Sequence, residues 1–177
     1  RYEKWCKKIK QNFSRQYIKS FVNNPLDADQ KYAFAFHPSL IFSITLPFSI
    51  LTNREAQILY RILIKQFLVD EGISYPLRDS VKDQKINSPI LVGEYLAGYN
   101  MLMRDKDFLL EHFQRIAERI ILELNNGIIG FIPNATVKNS ETISPPRRAS
   151  GVATAETAYF FKLLEKIQTE SDDTSKS

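Results

Sequence analysis

The sequence predicts an α+β fold: a small, mainly antiparallel sheet covered by three to four helices, with a basic amphipathic helix at the N-terminus and a loosely ordered C-terminal tail. Three observations predict it. Apolar residues recur at helical spacing over 2–22, 53–70 and 107–125. The uncharged stretch 32–53 alternates large and small side chains with period two. After Pro133 large apolar residues thin out, and Ser, Thr, Asn and Pro take over. These shifts divide the chain into a basic helix (1–23), an α+β core (24–133), a flexible linker (134–153), a short amphipathic helix (154–168) and an acidic polar tail (169–177).

The first helix rests on Trp5, Ile9, Phe13, Tyr17 and Phe21, spaced by four, with Asn23-Asn24-Pro25 as its stop. In 32–53, Tyr32, Phe34 and Phe36 alternate with alanines, and Phe42, Ile44 and Leu46 with Ser43 and Thr45. Two strands turning at His37-Pro38-Ser39 are expected there. A membrane span needs about 20 apolar residues, and Pro38, Pro47 and the interspersed hydroxyls argue against one. Thr52 or Asn53 then caps a helix over 53–70, with Glu55 in its first turn and Gly72 as a stop.

Residues 74–88 read as a polar connection. Pro89 opens a helix to 103, in which Gly93, Ala97 and Gly98 leave room for a close neighbour. The helix at 107–125 carries Leu109, Phe113, Ile116, Ala117, Ile120 and Leu124 on one face and ends at Asn126-Gly127. The apolar run 128–132 is expected to be a buried strand completing a sheet with 31–47. In the tail, Phe160, Leu163, Leu164 and Ile167 form a short apolar stripe that must dock somewhere, because a helix this short is marginal alone.

Charge is distributed unevenly. Residues 1–22 hold seven cationic side chains against Glu3 alone, whereas residues 23–166 balance at sixteen of each sign. The basicity of the chain therefore belongs to one terminal segment. The single cysteine, Cys6, excludes an internal disulfide framework and Cys-rich zinc sites, and favours a reducing intracellular compartment. No metal or cofactor is inferred. The chain begins at Arg1 rather than Met and is expected to be part of a longer polypeptide.

Candidate partner-binding residues are Lys4, Trp5, Lys7, Lys8, Lys10 and Arg15 on the first helix, and Phe160 and Leu164 in the tail. Seven cations on one segment attract phosphates, acidic proteins or anionic headgroups; the bland reading has the apolar stripe packing on the core while the lysines keep it solvated. Ser150, in Arg147-Arg148-Ala149-Ser150, and Ser144, in Ser144-Pro145, are candidate phosphorylation sites. His112 reads as a residue on a solvated helix face, Cys6 as a buried thiol beside the apolar stripe, and His37 as a turn residue. No phosphate-binding glycine loop, dinucleotide fingerprint or nucleophile elbow is present.

The expected function is a non-enzymatic macromolecular binding or assembly module, a subunit or domain of a larger complex, with a protein as first partner. The alternative is nucleic acid or an anionic membrane engaged through residues 1–22. A second alternative is an enzyme with an unfamiliar active site, which a pocket gathering Glu94, Tyr95, His37 or Asp79 would favour. No small-molecule partner is inferred.

Overall fold

In the computed structural model, the described residues are 2–13, 15, 37–47, 50–70, 72–76, 85–103, 107–126, 133–139, 142–143, 147–149 and 151–175. Their helices are α1 (Tyr2–Phe13), α2 (Phe42–Thr45), α3 (Asn53–Phe67), α4 (Val92–Leu102), α5 (Asp107–Asn126) and α6 (Gly151–Ser175). A 3-10 turn, Pro38–Ile41, leads directly into α2. The strands are β1 (Leu68–Val69), β2 (Gly72–Pro76), β3 (Lys85–Ser88), β4 (Pro133–Asn139), β5 (Thr142–Ile143) and β6 (Arg147–Ala149). The fold is α+β with a small antiparallel sheet.

Helix α3 starts where its capping chemistry dictates. The Thr52 hydroxyl accepts from the Glu55 amide at 3.3 Å, and the Glu55 carboxylate accepts from the Thr52 amide at 2.9 Å. This reciprocal box satisfies two otherwise orphaned donors and contributes about 1 kcal/mol. Ala56, Leu59, Tyr60, Leu63 and Phe67 then face the core. The chain leaves α3 straight into β1, which pairs with β2 through Leu68↔Ile73 and Val69↔Gly72. Gly72 is therefore a hairpin residue, with φ of 118°, rather than a helix stop. A Cβ there would lie 2.5 Å from the Ser88 carbonyl oxygen, so the close approach of β2 and β3 also requires glycine.

The sheet is built from different residues than the alternation suggests. Its order is β1-β2-β3-β4-β5, with β6 also on β4, and each of these pairs is antiparallel. Residues 42–45, expected within the second strand, are helical instead, and the expected turn at 37–39 leads into the 3-10 turn. The Ser43 hydroxyl donates to the Leu40 carbonyl at 2.7 Å, and Thr45 Oγ1 lies 3.5 Å from the Ile41 carbonyl oxygen. A hydroxyl that satisfies itself on the preceding turn removes the case for a strand. Pro38, Ile41 and Ile44, spaced by three, are the residues buried. The rest of the expected sheet, 31–36 and 128–132, lies outside the described residues. Residues 74–88, expected as a connection, contribute β2 and β3, paired from Ile73↔Ser88 to Pro76↔Lys85.

The predicted linker also carries structure. Within 134–153, β4 pairs with β3 through Val137↔Ile86 and Thr136↔Asn87. It also pairs with β5 (Lys138↔Ile143) and β6 (Ala135↔Arg147), in registers offset by one residue. Backbone ladders need no large apolar side chain, which is why composition alone read this stretch as a linker. Helix α6 begins at Gly151 and runs to Ser175, so the predicted helix at 154–168 is its middle, and most of the predicted acidic tail is its last turns.

The core lies where α4 meets α3, α5 and α6. Tyr95, Leu96 and Tyr99 of α4 are fully or almost fully buried. The rings of Tyr99, Phe113 and Phe160 run from α4 through α5 to α6 at centroid spacings of 6.1 and 6.4 Å, in tilted arrangements. Helix α4 opens at Leu91, whose φ of 72° is left-handed although it is not glycine. Its side chain is buried, which holds it in a conformation costing about 1–2 kcal/mol. Among the described residues, no helix is long and apolar enough to cross a membrane.

Candidate interaction surface

Every residue of α1 from Tyr2 to Asn12 is exposed, the apolar ones included. Tyr2 is 89% exposed, Trp5 62% and Ile9 55%, values that exclude them from the core. Cys6, expected as a buried thiol, is exposed as well. At 3.6 residues per turn, these four side chains fall within an arc of about 100°. Lys4, Lys7, Lys8 and Lys10 are exposed on the remainder of the surface, with Glu3 the one acidic residue of the helix. Arg15, just beyond α1, is exposed too. The structure thus brings the expected basic residues and Trp5 together on one solvent-facing helix.

The two tail residues go elsewhere. Phe160 is wholly buried and Leu164 nearly so, in the same core as Ile167. This corrects the expectation that they bind a partner: their stripe docks on α4, where Gly93 lets α6 approach closely. A Cβ on Gly93 would lie 2.6 Å from Tyr159 Cδ1 and 3.4 Å from the Phe160 amide nitrogen. Ser144 and Ser150 lie outside the described residues, as does Asp79.

Beside that contact is a polar cluster that local sequence rules do not reveal. Thr45 Oγ1 of α2 donates to Glu94 Oε2 of α4. Across the seam, Glu156 of α6 has its Oε2 buried without a hydrogen-bond partner. Burial raises the Glu156 carboxyl above its ordinary value, and the Glu94 charge raises it further. Tyr159 is shifted upward by burial, then by Glu94, then by Glu156. Burial and the Glu94 charge both disfavour the ionised form of Glu156. Among the described residues, no group of three or more His, Cys, Asp or Glu side chains is placed to hold a metal ion.

The remaining candidates have structural roles. His37 Nδ1 accepts from the Ser39 amide at 3.2 Å and lies 2.8 Å from the Ser39 hydroxyl, so the ring caps the 3-10 turn. Desolvation lowers its pKa, in keeping with a neutral ring that accepts at Nδ1. Tyr95 donates to the Pro38 carbonyl at 3.4 Å, which ties α4 to that turn inside the core. His37, Glu94 and Tyr95 thus anchor the 37–45 segment. His112 is not on a solvated face: it is half-buried, with Nε2 3.7 Å from Asp70 Oδ1 and Nδ1 3.4 Å from Arg115 Nη2. Arg115 Nε also lies 3.7 Å from Asp70, so these groups fasten α5 to the β1–β2 turn.

The chain matches no protein-family model, no curated protein and no solved structure.

Proposed function

We propose that this chain is a non-enzymatic binding module, a subunit or domain of a larger assembly, whose charge-balanced core presents α1 to another macromolecular surface. The observation that carries this reading is the outward Tyr2–Trp5–Ile9 stripe. Apolar residues at i, i+3 and i+7 on an exposed helix are the anchors by which amphipathic helices dock, and large aromatics dominate such contacts. The lysines around the stripe select an anionic partner. Recognition of nucleic-acid phosphates by Lys4, Lys7, Lys8, Lys10 and Arg15 is the alternative; it uses the charge but leaves the aliphatic Ile9 in water. The exposed lone thiol of Cys6 fits a reducing, intracellular setting.

The test is the double variant Trp5→Ala/Ile9→Ala. Truncating two large core side chains costs several kcal/mol, about 3–5 for the tryptophan alone. Truncating exposed ones stays within about 0.5 kcal/mol. An unchanged urea midpoint supports a docking role for α1. A large fall in the midpoint assigns the stripe to the protein's own core and ends the proposal.

A further inference from the structure

Resting on the reading of α1 as the docking element, we infer that its partner is an anionic lipid surface, with the helix lying in the plane of the headgroups. Three features of the helix point there. It is strongly amphipathic yet of low overall hydrophobicity, the combination of an interfacial helix rather than a spanning or core one. Its apolar arc is led by Tyr2 and Trp5, whose rings suit the boundary between headgroups and acyl chains. Its cations are all lysines, at 4, 7, 8 and 10, and they spread around the whole polar face.

The third feature discriminates between partners. A protein groove touches the apolar arc and its flanks, and lysine is depleted in such interfaces. Lysines on the far side of the helix would add little there. The potential of an anionic bilayer reaches about a Debye length into solution and acts on all four. Their long apolar stems lie along the helix while the ammonium groups reach the phosphates. A single-stranded nucleic acid would stack bases on Tyr2 and Trp5, but those rings lie on the face opposite the lysines that hold its phosphates, and it has no place for Ile9. The net positive charge belongs to residues 1–22, because residues 23–166 hold sixteen charges of each sign. The helix carries the attachment and the core hangs from it.

Each lysine near an anionic leaflet strengthens partitioning about fivefold, and the apolar arc adds insertion. Attachment is therefore reversible and salt-sensitive rather than permanent. The experiment uses the full chain under reducing conditions, with phosphatidylcholine vesicles containing or lacking phosphatidylserine. Flotation and Trp5 emission are read together; Trp5 is the single tryptophan, so its signal reports on α1 alone. The expected result is flotation only with phosphatidylserine, a blue shift of Trp5, and release by salt. Lys7→Glu/Lys8→Glu should weaken binding by more than tenfold, with the urea midpoint unchanged.

No flotation with phosphatidylserine overturns the inference, as does equal flotation with phosphatidylcholine alone. Binding of a homopolymeric RNA without vesicle binding, or concentration-dependent self-association that buries Trp5, assigns the helix to those partners and overturns it too. Failure here leaves the docking role of α1 standing as long as Trp5→Ala/Ile9→Ala keeps the core's stability, so the two readings fail separately.

Discussion

The hydroxyl of Tyr60 donates to the carbonyl of Tyr95 at 2.7 Å, joining α3 to α4 inside the core. Tyr60 is fully buried, and burial pushes its phenol well above the ordinary range, with Tyr95 and Tyr99 adding to the effect. The group is therefore a permanent donor. Tyr60→Phe should destabilise the fold by about 1 kcal/mol, the net value of one neutral hydrogen bond. The loss is limited because the Tyr95 carbonyl lies within α4 and keeps its place in the helical ladder. Urea denaturation with an unchanged slope and a lowered midpoint would register it.

The same tyrosine sets the response of the α4 glycines. A Cβ on Gly98 would lie 2.7 Å from Tyr60 Cε2 and 3.2 Å from Ile41 Cδ1. Tyr60 is buried and held by its hydrogen bond, so it cannot yield. Gly98→Ala should cost about 1–3 kcal/mol, the usual penalty for overpacking. Gly93→Ala meets Tyr159, which is 43% exposed and has room to swing outward. There the helix-propensity gain of about 1 kcal/mol offsets much of the clash. Thermal midpoints should therefore rank Gly98→Ala well below Gly93→Ala; the reverse order would contradict the packing described for α4.

How much of this was legible in the sequence varies with the kind of signal. The stripe of α5 and the Thr52–Glu55 box of α3 follow from local periodicity and capping chemistry, and the structure has both helices. The sheet was misplaced for two physical reasons. Ser74, Asn87 and Ser88 are buried strand residues, so their polarity erased the alternation that marks a strand. Conversely, Ser43 and Thr45 gave 42–46 a false alternation, because the Ser43 hydroxyl bonds back to Leu40 within a helical turn and the Thr45 hydroxyl donates to Glu94. The basic residues of α1 were readable from composition alone. Whether their apolar neighbours faced in or out was not, since an amphipathic stripe looks the same docked or bare. Nor does any local rule bring Glu94 next to Glu156; only the docking of α6 on α4 does so.

That carboxylate pair makes a prediction about pH. Glu156 has a folded-state pKa raised above 4.5. Its protonated form thus favours the fold below pH 4.5, and that contribution is lost as pH rises through the folded-state value. Removing the charge with Glu156→Gln should make the protein more stable than the parent at neutral pH. The advantage should shrink on acidification and vanish below pH 4.5. Glu94→Gln should lower the apparent pKa of Glu156, because the adjacent charge is one of its two causes. Denaturation midpoints across pH for the parent and both variants check this. A parent that gains stability relative to Glu156→Gln as pH rises would reverse the sign and refute the buried-carboxyl description.

The central claim is that α1 carries its apolar stripe on the outside, available to a partner, and the most direct measurement is collisional quenching of Trp5 fluorescence in the isolated full chain. With Trp5 62% exposed and the single tryptophan of the protein, the account predicts red-shifted, water-like emission that a neutral quencher extinguishes almost as readily as it does free indole. Blue-shifted emission protected from the quencher, unchanged on dilution and lost only when the core unfolds, would mean that the stripe is packed on the domain, and would contradict it.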